Sequence, residues 1–193
     1  MKLKYDLPRS RIELDFSKIS QSDFDWLVGL FLADGSKYKE KTRQYRTYFY
    51  LSPKKDLKIL MRIIPILEKI GLNPEISIKN SIGTLVIRVT SKELFNKLPD
   101  KTKRQNYLPK DVDSFIAGFM DGDGYISKKE GCIGFSQTTV EWIGPFISEY
   151  LKGMGISPWK KTYYRKAFYY KASFKKVREK THIIKHMCNA GAG

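Results

Sequence analysis

The chain alternates between two kinds of apolar patterning. Residues 27–32 form an unbroken apolar run, and 115–120 form a second in which small residues interrupt the large ones. A run with no polar face belongs to a helix covered on nearly all sides. Elsewhere the apolar positions are periodic. Leu57, Leu60, Met61, Ile64 and Leu67 fall at helical spacing, with Ser52-Pro53 as the predicted opening and Gly71 as the stop. Residues 140–154 predict an equivalent helix ending at Gly155, and 92–98 and 175–187 two shorter ones. Between these lie stretches of strand-like composition: 37–51, 75–79, 85–89, 125–136, 158–165 and 168–172. The predicted order is helix, two strands, helix, two strands, helix, used twice, which is an α+β architecture of two αββαββα halves.

The duplication is explicit in the residues. Trp26-Leu27-Val28-Gly29-Leu30-Phe31-Leu32-Ala33-Asp34-Gly35 and Phe115-Ile116-Ala117-Gly118-Phe119-Met120-Asp121-Gly122-Asp123-Gly124 share one pattern, and Asp34 and Asp123 lie 89 residues apart. Gly29 and Ala33, like Gly118 and Gly122, are four apart on one helix face, where small residues let two backbones approach. The two motif helices are therefore expected to pair. Gly35 and Gly124 read as left-handed helix stops, which puts Asp34 and Asp123 at C-terminal helix ends. A carboxylate there opposes the helix dipole by roughly 0.3–1 kcal/mol, and bringing two together adds repulsion. Folding does not need that arrangement, whereas a hard divalent cation does, so the expected ion is Mg2+, with Ca2+ able to take its place. Paired acids holding metals suit phosphodiester hydrolysis.

Charge narrows the substrate. The 193 residues carry 36 Lys plus Arg against 20 Asp plus Glu, a net charge of +16 and a pI near 9.7. The excess is +10 up to Arg104 and +6 beyond it, so it belongs to both halves rather than to a tail, and it points to nucleic acid. Hydrophobic residues at 41% are too many for a disordered chain. Cys132 and Cys188 are the only cysteines and offer no disulfide framework. No apolar run approaches the ~20 residues of a membrane span, and the N-terminus lacks a signal-peptide core, so the expectation is an intracellular protein without membrane attachment. His182, His186 and Cys188 are too sparse for a zinc site.

The paired motifs resemble the LAGLIDADG homing endonucleases in their single-chain, two-motif form. On that resemblance, residues 1–21 are an N-terminal extension, 22–98 and 111–193 the two halves, and 99–110 the linker. The resemblance implies a monomer with a pseudo-twofold axis between Gly29 and Gly118. Its two antiparallel sheets would form a saddle on double-stranded DNA, which is cut with Mg2+ to leave short 3′ overhangs at a long asymmetric site; Ca2+ would bind without supporting cleavage. It implies Asp34 and Asp123 as catalytic metal ligands, the main-chain carbonyls of Ala33 and Gly122 as further ligands, and a structural role for Asp121. Aligning the fourth strands implies Arg88 and Lys171 as basic residues near the cleavage centre. Strand alternation puts Arg46, Tyr48 and Tyr50 on one DNA-facing surface. Lys37, Lys39, Lys41, Arg43, Lys128, Lys129, Gln137, Lys160, Lys161, Tyr163 and Arg165 are the remaining candidate DNA contacts. An RNA maturase or a non-cutting DNA-binding protein on the same scaffold is the alternative; loss of one motif acid would favour it, and both are present.

Overall fold

The repeat in the residues is a repeat of structure. A computed structural model describes residues 13–41, 44–79, 83–101, 107–137, 142–162 and 168–188. The first half runs α1 (Gln21–Asp34), β1 (Gly35–Lys39), β2 (Tyr45–Leu51), α2 (Leu57–Lys69), β3 (Glu75–Lys79), β4 (Thr84–Thr90) and α3 (Lys92–Lys97). The second runs α4 (Val112–Asp123), β5 (Gly124–Ser127), β6 (Cys132–Gln137), α5 (Ile143–Gly153), β7 (Trp159–Thr162), β8 (Phe168–Ser173), α6 (Phe174–Lys180) and α7 (Ile183–His186). The strands form two antiparallel four-stranded sheets, β1-β2-β4-β3 and β5-β6-β8-β7. The α+β architecture is as expected.

Helices α1 and α4 are the centre of the core. Residues 25–32 and 114–121 are buried without interruption, because each helix is covered by its own sheet and by the other helix. The glycines set the approach. A Cβ on Gly29 would lie 2.0 Å from the Phe115 carbonyl oxygen, and one on Gly118 would lie 1.9 Å from that of Trp26. Gly29 matches Gly118 in the repeat, and Trp26 matches Phe115. Each glycine therefore meets the carbonyl three residues before its counterpart, the signature of a twofold axis between Gly29 and Gly118.

Polar groups tie the halves beside this contact. Buried Asp25 in α1 accepts from the Asp111 amide at 2.8 Å, from Gln21 at 3.0 Å and from the Tyr107 hydroxyl. Asp121 in α4 accepts from Trp26 Nε1 at 2.9 Å and from the Cys188 amide, which gives it the structural role expected. Arg62 of α2 lies 4.2 Å over the Trp26 ring and donates to the His186 carbonyl at 2.6 Å, clasping the last described segment. Both thiols are free, and burial and then Asp121 push Cys188 up to about 12, so it is inert at neutral pH.

Three local expectations are corrected. Gly35 and Gly124 are not left-handed, with φ −94° and −89°; each helix passes straight into a strand. Glycine stands there because a Cβ would lie 2.6 Å from the Phe31 carbonyl oxygen or 2.3 Å from that of Met120. Helix α2 begins at Leu57 rather than Ser52, since Asp56 reaches back to the Ser52 amide at 2.7 Å and wraps residues 52–56 into a turn. The predicted terminal helix is two helices. Buried Thr181 turns its hydroxyl to the Val177 carbonyl, and Asp113 of α4 takes the His182 amide at 2.8 Å, which ends α6.

The contact at the axis is backbone against backbone, so even a methyl group there should be costly. Gly118→Ala should destabilise the protein by about 1–3 kcal/mol or more, the range of overpacked cores. In thermal denaturation that is a fall of roughly 2–4 °C per kcal/mol for a chain of this size; an unchanged midpoint would contradict the packing described.

Candidate active site

The site lies where α1 and α4 end together. Asp34 is the last residue of α1 and Asp123 the last of α4. A Cβ on Gly122 would lie 2.5 Å from Ala33 Cβ and 2.9 Å from Asp34 Oδ2. The two helix termini are thus in contact, and the Asp34 carboxylate rests against the other half. Burial first, then the negative charges of Asp123 and Asp56, push Asp34 up to about 6, with Lys101 pulling the other way. Two partly buried acids at two negative helix ends concentrate negative charge at one place.

The only donors offered at the junction by Asp34, Asp123 and the carbonyls of Ala33 and Gly122 are oxygens, which suits a hard cation such as Mg2+, Mn2+ or Ca2+. Among the described residues no cluster of three or more His, Cys, Asp or Glu side chains is placed to hold a metal. A cation here would take at most the two motif carboxylates and complete its shell with carbonyls, water and substrate oxygens.

A residue that sequence reasoning passed over enters the same place. Lys101, in the segment joining the halves, donates from Nζ to the Ala33 carbonyl at 3.2 Å and lies 5.7 Å from the Phe31 ring centre. Burial lowers its pKa, while Asp123 and then Asp34 oppose that shift. Nothing in the local pattern marks it, because a lysine in a charged linker reads as solvated.

The strand register decides the fate of the other candidates. Ser36, Tyr48, Arg88 and Glu75 form one row across the first sheet, and Tyr125, Gly134, Lys171 and Trp159 the matching row across the second. Arg88 and Lys171 therefore occupy equivalent positions, as the aligned strands predicted. Both are paired with carboxylates, Arg88 with Glu75 and Lys171 with Glu130 at 2.5 Å. The hydrogen bond that Lys171 donates to Glu130 leads in pushing the lysine up to about 12. These solvent-exposed pairs are weak.

Arg46, Tyr48 and Tyr50 share the sheet face away from the core, since Thr47, Phe49 and Leu51 between them are buried. The Tyr48 and Tyr50 rings stack at 6.3 Å, and both border an open groove with Ser77, Ile78, Lys79 and Val86. Arg46 is held by Glu40 at 2.6 Å. Lys37 and Lys39 are corrections. They pair with Thr47 and Tyr45 and so lie on the helix-covered side of the sheet. Lys37 donates to the Phe95 and Leu98 carbonyls at 2.9 and 2.7 Å, capping the end of α3, and Lys39 lies 5.4 Å over the Tyr45 ring. The outward residues of β1 are Ser36 and Tyr38, and alternation counted from Gly35 would have found them. Lys41, Lys128 and Lys129 are exposed. Arg43, Tyr163 and Arg165 lie outside the described residues, as do the side chains of Gln137, Lys160 and Lys161.

No protein-family model and no curated protein sequence matches this chain. Solved structures do. A variant of the homing endonuclease I-DmoI, in complex with its target DNA nicked in the coding strand and in the presence of Mn, is 16% identical at a TM-score of 0.64, over 86% of this chain and 98% of that one. I-DmoI in complex with DNA and Ca is 16% identical at a TM-score of 0.60, over 82% and 86%. Meganuclease I-SmaMI bound to uncleavable DNA is 15% identical at a TM-score of 0.57, over 83% and 82%. The chain has the fold of the single-chain LAGLIDADG endonucleases. Among the described residues, no helix is long and apolar enough to cross a membrane.

The raised pKa of Asp34 fixes the sign of a pH effect. Without metal, the folded protein holds this proton more tightly than the unfolded chain, whose ordinary value is 3.8. Asp34 therefore favours folding below that value, and the contribution is lost as pH rises through about 6. In EDTA, Asp34→Asn should melt close to wild type near pH 4 and above it near about pH 7.5, where only the wild type buries this charge. Equal midpoints at both pH values would contradict the electrostatics described.

Proposed function

We propose that this chain is a site-specific DNA endonuclease of the LAGLIDADG homing type, in which Asp34 and Asp123 direct metal-dependent hydrolysis of both strands. The observation that carries the reading is the acid pair at the joined helix ends. The fold alone is common to proteins that differ widely in sequence. An acid from each half, kept at a junction where folding is worse for it, calls for a cation and a polyanionic substrate.

The division of labour follows from the geometry. Asp34 and Asp123, with the Ala33 and Gly122 carbonyls, would hold divalent cations. A bound Mg2+ supplies Lewis-acid stabilisation of a phosphodiester under attack by water. Arg88 and Lys171, at equivalent places on the two sheets, are the cations that would exchange Glu75 and Glu130 for phosphate oxygens. Tyr38, Arg46, Tyr48 and Tyr50 form the surface that reads DNA in the first half, with Lys41, Lys128 and Lys129 contacting backbone phosphates.

The surfaces offered by the halves differ. Tyr48 of the first corresponds to Gly134 of the second, whose missing side chain leaves room for Tyr125; a Cβ on Gly134 would lie 2.9 Å from the Tyr125 hydroxyl. We therefore read the target as a long asymmetric site; action as a monomer and short 3′ overhangs are what the resemblance to single-chain LAGLIDADG endonucleases implies. Hydrogen-bonded specificity would be heavier on the first half's side and shape-dependent readout heavier on the second's.

Incubation with a library of duplex sites in Mg2+, followed by sequencing of the cut ends, should return one asymmetric site. Asp34→Asn or Asp123→Asn should lower cleavage at least about 100-fold while leaving DNA affinity within about tenfold, and Ca2+ should support binding without cutting. Cleavage by the double Asn variant in Mg2+ would refute the site.

The net charge of +16 sets a second expectation. Affinity for duplex DNA should fall steeply with salt, each neutralised phosphate adding close to about −0.9 to the slope of log K against log salt. A flat salt profile would rule out the sheets as a phosphate-binding surface.

A further inference from the structure

We propose that Lys101 is a tethered cation that occupies one divalent-metal position in the free protein and is displaced when the ion binds. The inference rests on the reading of Asp34 and Asp123 as metal ligands. It adds that the chain carries its own competitor for that position.

The ammonium makes the contact a metal would make. Its Nζ donates to the Ala33 carbonyl at 3.2 Å, on the last turn of α1, and both motif carboxylates attract it. The ammonium thus touches one oxygen expected to face a metal, within the field of both acids. Two acids brought together at two helix C-termini are unfavourable without a compensating cation, and Lys101 supplies one positive charge when no metal is present.

The same contact cannot persist beside a bound ion. An ammonium and a divalent cation on one carbonyl would lie a few ångströms apart in a half-buried place, where like charges are poorly screened and repel strongly. One of them must leave. Lysine is suited to leaving, because its charge sits on a flexible four-carbon stem, and Lys101 lies in a turn beyond α3 rather than inside a helix. Among the described residues no Lys or Arg side chain makes the corresponding contact with the Gly122 carbonyl. The position at Ala33 is the one that an ion must win from Lys101.

Calcium titration by calorimetry of the full-length protein, without DNA, tests this. Lys101→Met should bind Ca2+ more tightly than wild type, by about tenfold at the weaker step, and Lys101→Arg should stay close to wild type because it keeps the charge. In thermal denaturation, Lys101→Met should be less stable than wild type in EDTA and gain more from added Ca2+. Lys101→Gln, which can still donate to Ala33, should reproduce the tighter binding if the Met variant does not fold. Equal or weaker Ca2+ binding by the neutral variants would overturn the proposal while leaving the metal site standing. No Ca2+ binding by either wild type or variants would overturn the metal reading itself.

Discussion

Two helix backbones in direct contact govern this molecule. The approach of α1 and α4 allows no side chain at Gly29 or Gly118, because the carbonyls of Phe115 and Trp26 already fill that space. Because the contact lies on the pseudo-twofold axis, it fixes where both helices end. Their last residues, Asp34 and Asp123, meet at that place, and each helix passes directly into the first strand of its own sheet. Hydrophobic burial of the two motif helices thus drives like charges together. The stability gained in the core is large against the repulsion at its edge, so the site is held in an unfavourable electrostatic state by packing elsewhere.

The duplicated pattern made most of this legible in the residues. Apolar runs at 27–32 and 115–120, small residues at fixed spacing and an Asp-Gly at each end are enough to infer a helix pair with two acids at its end. Features that depend on a single residue of register were not legible. Lys37 and Lys39 alternate with Ser36 and Tyr38, and a shift of one position moves them from the outer face to the helix-covered face. Helix starts were displaced where a side chain competes for a backbone amide, as Asp56 does at Ser52. The break at Thr181 depends on Asp113, a partner distant in sequence.

Lys101 illustrates a different blind spot. Its role is set by where the connecting segment passes, and no periodicity encodes that path. Composition gives a charged linker, and only the three-dimensional neighbourhood of Ala33 gives that charge a destination. The outer faces of the sheets raise the same point in another form. Arg46, Arg88 and Lys171 are each paired with a glutamate of their own half, so the net charge of the chain overstates the free positive charge presented by these residues.

The methyl group of Ala33 gives the axis a handedness of its own. Its counterpart is Gly122, and a second methyl there would lie 2.5 Å from the first. The space at the axis holds one methyl group. Two copies of the first half brought together in this geometry would overlap, and two copies of the second would leave a gap. Each half is thus shaped to accept the other and to reject itself, so exchanging halves between such proteins requires Ala33 and Gly122 to travel as a matched pair.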